Sequence, residues 1–451
     1  MKRTIKTILL LVFLAWIVVF LVDQIRWPIQ LDRGWSQQIQ AAETQNGDSG
    51  SVNLYKWRDT IILLQHRYDW SSKSSLCSIM TRNNASGNSW TQLPLSDVPS
   101  GYHFYAPVID STNNRILFEQ GYTENDQLVM SIIFVRVTNG RVQVGPEQKW
   151  KTDQRTLLGE TPPNVHINDP GRRGGPILGF GVVDGPDLYV PFCIAAERYE
   201  GRGTIFGDGP FNNGVFHSPD AGATWQMERI SDFYGSYPTM CRSGNYYYYL
   251  LPSGYGKELR CFRKPIAGGS WETSEVVTKN YASVDGGYIV TAEGDTTHIC
   301  WLDRRHSRWR FNPEGPILED HEIVYCHRRD SDTHWSPDII VSKGVRQAYE
   351  PAMSIDGNKI VIVWSGHENA GRGFVNGPTE IFYATSKDSG KTWAKPLKVT
   401  DRAKDGITSG EPQVAVQNGV IHLFYVQGRE DRHLSRQAPW PVYYQQRPFP
   451  N

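Results

Sequence analysis

The sequence carries no net charge: 47 basic and 47 acidic residues among 451 balance. No polycationic stretch is present to serve nucleic acid or a phosphate-rich surface. Cysteine is sparse, with six residues at positions 77, 193, 241, 261, 300 and 326 and no C-x-x-C pair, so a thiolate metal site is not expected. Cys300 and Cys326 are either buried thiols or, in an exported domain, a disulfide across neighbouring strands. G-x-S-x-G, H-E-x-x-H and EF-hand patterns are all missing. The glycine-rich Arg172-Arg173-Gly174-Gly175-Pro176 lacks the strand–loop–helix setting of a phosphate loop. No cofactor and no metal is called for.

Long apolar runs are missing too, apart from residues 8–22, which follow Lys2, Arg3 and Lys6. A basic flank and such a run make an export signal. Without a small-x-small cleavage site, and with Trp27 placed to sit at a membrane interface, residues 1–30 read as an uncleaved signal anchor. A cleaved signal peptide is the alternative. Either way the remainder is expected outside the cytoplasm. Residues 31–50 read as a polar linker or as a segment that closes the following domain, which spans residues 51–451.

What is abundant is aromatic and glycine content: 15 Trp, 22 Tyr, 17 Phe and 42 Gly. That balance favours strands joined by glycine turns over helices. One octapeptide organises the chain, Ser218-Pro219-Asp220-Ala221-Gly222-Ala223-Thr224-Trp225. It recurs as Ser386-Lys387-Asp388-Ser389-Gly390-Lys391-Thr392-Trp393. Both read S-x-D-x-G-x-T-W, a pattern suited to a tight turn. The Asp accepts bonds from turn amides, the Gly supplies a backbone shape other residues resist, and the Trp packs beneath the next strand. Gly87-Asn88-Ser89-Trp90, Gly268-Gly269-Ser270-Trp271 and Asp332-Thr333-His334-Trp335 keep its closing half, and Trp150 marks a further turn or strand.

Between these turns, short β-type runs recur at residues 60–64, 115–118, 188–192, 246–250, 297–301, 359–364 and 420–426. Most follow another short strand across a turn such as Asp356-Gly357-Asn358 or Gln417-Asn418-Gly419. The spacing suits four-stranded propeller blades. The fold class is therefore all-β, a β-propeller of four-stranded blades. Counting strand pairs gives seven blades, with six as the alternative, and the segment before Ser51 is expected to close the ring.

The two octapeptides resemble the Asp-box (BNR) repeat of the sialidase-like β-propellers, and that resemblance spans nearly all of residues 50–446 as architecture. It implies a funnel at the axis on the face opposite the boxes, with arginines for a substrate carboxylate, a Tyr–Glu pair and an Asp acid/base. The Arg-Ile-Pro motif of such sialidases is absent at the first strand, which reads Ser51-Val52-Asn53-Leu54-Tyr55.

In that frame the ends of the second strands and the starts of the first strands converge on the funnel. They supply Asp303, His367 and Glu368 as candidate catalytic residues. His66, Arg67, Arg198, Arg304, Arg305 and Arg429 are the candidates for binding substrate, since gathered arginines grip carboxylates. Tyr237, Tyr281, Glu350 and Glu411 stand at first-strand starts, and Tyr68, Trp70, Tyr122, Tyr199, Tyr255 and Trp309 offer aromatic faces to sugar rings. The expected partner is a glycan or polysaccharide, acidic sugars favoured, on which a membrane-anchored protein acts as a sialidase-like glycosidase, with a polysaccharide lyase as the lesser enzymatic alternative. A non-catalytic propeller that binds a glycan or protein, or a scaffold in a cell-envelope complex, is the alternative.

Overall fold

The structure, a computed structural model, describes residues 29–42 and most of residues 48–450. Residues 1–28 lie outside it, as do internal stretches of which the longest are 154–164, 168–176, 279–286, 368–376 and 430–440. The anchor expected over residues 1–30 therefore falls almost wholly outside the described residues, among which no helix is long and apolar enough to cross a membrane.

Consecutive strands pair into antiparallel sheets, and among the described residues the only helical element is the short 3-10 turn Ala403–Asp405. Seven of the sheets have four or five strands. The sixth shows the pattern: Arg346–Asp356, Lys359–His367, Glu380–Ser386 and Leu397–Lys398, each paired with the one before. The β-type runs recognised in the sequence are the second strands, from Thr60–Asp69 in the first sheet to Val420–Arg429 in the seventh. They are buried on both faces, which explains why they read as continuous apolar runs. Trp301 and Trp364 in two of them are fully enclosed.

Each pair of neighbouring sheets shares one apolar cluster. Ile62 and Leu64 of the first sheet meet Ile116 and Phe118 of the second. The series continues to Phe424 and Tyr444 of the seventh, which meet Leu63 of the first. The first strands also touch in sequence order, and Ile407–Gln417 returns to meet Asp48–Trp57. Sheets arranged this way form a β-propeller. The ring is closed by Ile39–Ala42, which pairs antiparallel with Val442–Pro448 as the outer strand of the seventh sheet.

The segment before that strand is fastened as well. Leu31 forms a parallel bridge with Lys398, the Asp32 carboxylate accepts from the Tyr383 hydroxyl at 2.6 Å and pairs with Arg447, and Trp35 packs edge-on against Tyr383. Residues 31–42 are thus part of the sheet edges rather than a spacer.

The two octapeptides form matching turns between third and fourth strands. In each, the Asp accepts from the Thr amide and hydroxyl, at 2.7 and 2.6 Å for Asp220 and 2.9 and 2.6 Å for Asp388. The Ser hydroxyl bonds the same Asp and accepts from the Gly amide. Gly222 and Gly390 have φ of 94° and 85°. A Cβ on Gly390 would lie 1.9 Å from the Tyr325 hydroxyl of the fifth sheet, so the turn needs glycine for its neighbour as well as its backbone. Trp393 stacks edge-on against that same Tyr325, with ring centroids 5.0 Å apart. The degenerate copies at residues 268–271 and 332–335 also fall between third and fourth strands, the copy at 87–89 lies outside the described residues, and Trp335 packs onto Tyr248 of the preceding sheet.

The disulfide alternative is excluded by register. Cys300 pairs with Tyr325, while Cys326 pairs with Ile299. On adjacent strands offset by one position the two side chains leave opposite faces, and each enters a different apolar cluster. Both are free, buried thiols, as are Cys193, Cys241 and Cys261.

Candidate functional site

The hairpins between first and second strands lie on the octapeptide side, where Ser389 N–H donates to Asn358 O at 3.0 Å and Ala221 N–H to Pro186 O at 2.8 Å. The opposite face holds the second-strand ends and the first-strand starts. Two additional small sheets follow second-strand ends: Ala196–Glu200 with Gly203–Phe206 and Val165–Ile167, and the hairpin Trp309–Asn312 with Gly315–Leu318.

The inner rim of this face is built by a device used three times. Tyr237, Glu350 and Glu411 have φ of 52°, 52° and 48°, and each immediately precedes a proline, Pro238, Pro351 and Pro412. The left-handed region is costly for such side chains, and a following proline restricts its predecessor further. In the sixth and seventh sheets the device coincides with a β-bulge, since pairing slips between Tyr349 and Ala352 and between Gly410 and Gln413. Bulges re-aim side chains at sheet rims.

The bulges bring two glutamates from adjacent sheets together. Glu350 Oε2 accepts from Glu411 N–H at 2.8 Å and from the Ser365 hydroxyl at 3.0 Å. Burial, reinforced by the charge of Glu350, pushes the Glu411 carboxyl up to about 7. On the other side of the rim the exposed groups are aromatic. Tyr237 is 66% exposed and Phe180, in the third sheet's first-strand segment, 38%. Phe180 bridges Thr239 in parallel, and a Cβ on Gly179 would fall 1.7 Å from Pro238 O, so these segments of the third and fourth sheets are in direct backbone contact. Tyr288 of the fifth sheet fixes Tyr237 by donating its hydroxyl to Tyr237 O at 2.6 Å.

The residues singled out from the sequence divide sharply. Asp303 is fully buried at the end of its strand and accepts from Trp301 Nε1 at 2.9 Å, Arg305 N at 2.7 Å and the Arg305 guanidinium at 2.5 Å. Arg305 in turn reaches Asp338 at 2.6 Å. Burial works against the guanidinium charge, but the two carboxylates outweigh it and raise its pKa. This carboxylate–guanidinium–carboxylate unit holds the strand end. Arg304 is half-buried beside it.

His367 is buried at the top of its strand and stacks edge-on with Tyr349 at 6.2 Å; burial lowers its pKa, partly offset by its bond to the Pro378 carbonyl. Arg429 is exposed at the end of the seventh sheet's second strand. His66 and Arg67 occupy Thr60–Asp69, opposite Ser51 and Gly50, and Arg198 occupies the small sheet opposite Val165. Their side chains, with Glu368 and Tyr281, lie outside the described residues. Among the described residues no group of three or more His, Cys, Asp or Glu is arranged to hold a metal ion.

Two groups were under-read in the sequence. The repeated X-Pro at first-strand starts was a signal for the rim device, visible in Tyr237-Pro238, Glu350-Pro351 and Glu411-Pro412. The other is Glu119, one of the charged residues toward a second-strand end: it is 1% exposed, neither carboxylate oxygen has a hydrogen-bond partner among the described residues, and burial raises its pKa well above the ordinary range.

No family model and no curated protein matches the chain. Among solved structures, it is similar to a mutant of Trypanosoma rangeli sialidase displaying trans-sialidase activity, at 9% identity and TM-score 0.44, covering 93% of this chain and 59% of that one. The same sialidase in complex with the inhibitor DANA gives 10% identity and TM-score 0.44, with 92% and 60% covered. Pyrococcus horikoshii acylaminoacyl peptidase gives 11% identity and TM-score 0.46, with 92% and 54% covered. The chain spans less than two thirds of each, and likeness at this level carries no argument about activity.

Proposed function

We propose that the chain is a seven-bladed, Asp-box, sialidase-like propeller that acts on or binds glycans at the face opposite the octapeptide turns. The observation that carries this reading is the rim itself, where strained first-strand starts present a carboxylate pair and exposed aromatics around one axis. A carboxyl held near neutrality beside a second carboxylate is the equipment of acid–base glycoside chemistry. His367 stands on the sheet that supplies Glu350, Glu368 follows it in the sequence, and Arg304 and Arg429 border the same face. Residues 1–30 would anchor this domain to a membrane with the propeller outside the cytoplasm.

The reading as a non-catalytic glycan-binding module is favoured by one feature, the mutual neutralisation of Asp303, Arg305 and Asp338. Charges spent on each other hold a mouth in shape rather than transform a substrate.

The two are separated by incubating the full chain with fluorogenic glycosides and with oligosaccharides, beside the Glu411→Gln and Glu350→Gln variants. Turnover lost in both variants, with folding intact, establishes the glycosidase. Saturable binding without turnover establishes the module. Silence in both assays removes the glycan reading.

A further inference from the structure

Resting on the glycan reading above, we infer that the mouth is divided into a stacking platform and an acidic wall, and that it therefore takes uncharged rather than acidic sugars. The platform is Tyr237 with Phe180. Large aromatics are normally turned into the core, yet on neighbouring innermost segments these two are left 66% and 38% exposed. They are not on loose loops. The Gly179–Pro238 approach, the Phe180–Thr239 bridge, the Phe180 O bond to Met240 N–H at 2.8 Å and the Tyr288 hydroxyl bond fix the backbone that carries them. Tyr237 is moreover held at a φ of 52°, against its own preference and that imposed by Pro238. An exposed aromatic on rigid, strained backbone is preorganised for a flat apolar face, and the C–H face of a pyranose ring is such a surface.

The wall is Glu350 and Glu411, from the sixth and seventh sheets. Its acceptors suit sugar hydroxyls, and its charge repels a sugar carboxylate. Of the two arginines expected from the fifth sheet to offset that repulsion, Arg305 is bound between Asp303 and Asp338, and Arg304 is half-buried beside it. Platform and wall together specify a hydroxyl-rich, uncharged ring, stacked on one side and hydrogen-bonded on the other.

The test measures equilibrium binding of the full chain to a neutral tetrasaccharide of N-acetylglucosamine and to an anionic tetrasaccharide of galacturonate. The neutral ligand is expected to bind at least tenfold more tightly. Tyr237→Ala should weaken that binding at least tenfold, Tyr237→Phe should leave it within twofold, and Glu350→Gln with Glu411→Gln should narrow the gap between the two ligands. Because Tyr237 is exposed, its variants remain folded where Phe180→Ala need not. Tighter binding of the anionic ligand, or indifference to Tyr237→Ala while glycans still bind, overturns this inference alone. Absence of binding to any glycan overturns it together with the reading it rests on.

Discussion

The two ends of the propeller are made by opposite means. At the octapeptide end the left-handed positions belong to glycines and to small or polar turn residues, Ala221, Ser389 and Asn418 among them: Gly390 takes φ 85°, and Asp388 and Ser386 satisfy the turn. At the mouth, left-handed positions are given to Tyr237, Glu350 and Glu411, each ahead of a proline, and a carboxyl is left close to neutrality. The first end behaves as a fastener, in which sequence, backbone and packing agree. The second departs from local preference, and such departures concentrate where a protein binds or reacts. The same contrast recurs in the charges, since Asp303 and Arg305 close on each other while Glu350 and Glu411 are brought together with like charge.

The largest effect that would test this contrast is Gly390→Ala. Its Cβ would fall 1.9 Å from the Tyr325 hydroxyl and sit at a positive φ. The turn or the neighbouring sheet must move, at a cost of about 3 kcal/mol or more. Gly357→Ala serves as control, because φ there is also positive, at 61°, but nothing lies within 4 Å of the added atom; about 1 kcal/mol is expected. Urea unfolding of both variants checks it. Equal losses would mean that the octapeptide glycine answers only to its backbone and not to the adjoining sheet.

How much of this was legible beforehand follows the same division. The octapeptides were readable because their chemistry is local: Ser218, Asp220, Gly222 and Thr224 bond one another within seven residues. The second strands were readable because burial on both faces leaves apolar runs such as residues 359–364. The ion pairs of Asp303 and Arg305 are not legible in the sequence, because charge at a strand end carries no mark of its partner. The deciding partner, Asp338, comes from a separate part of the chain. Glu350 and Glu411 are 61 residues apart, and only the bulges of two adjacent sheets bring them together. The Cys300–Cys326 disulfide failed for a similar reason, since a register offset of one residue decides which face a side chain takes.

The next effect is at the mouth and depends on pH. The ordinary carboxyl value for Glu411 is 4.5, and burial with Glu350 raises it to about 7 in the folded chain. Between those values the native state keeps a proton that the unfolded chain has lost. Stability therefore falls as pH rises through this window, and the penalty is fully present above 7. Discounted for partial exposure, it is on the order of 2 kcal/mol. Glu411→Gln keeps the shape and removes the ionisation. Its stability relative to the native chain should rise by that amount between pH 4 and pH 8 in chemical denaturation. A difference independent of pH would mean that the Glu411 carboxyl is solvated like any surface group, and the contrast between the two ends would lose its electrostatic half.

The smallest effect is the most discriminating. Tyr237→Gly removes an aromatic ring that is 66% exposed and relaxes a φ of 52°. Relief of left-handed strain gains about 1 kcal/mol, and the greater freedom of glycine in the unfolded chain returns roughly 0.5–1 kcal/mol. Net stability should thus be nearly unchanged, while binding at the mouth should weaken as in Tyr237→Ala. A ring kept at a conformational cost, whose loss the fold does not register, is retained for something other than the fold. If Tyr237→Gly instead destabilises the chain as Gly390→Ala does, the rim is a fastener like the other end, and its aromatics are packing rather than a platform.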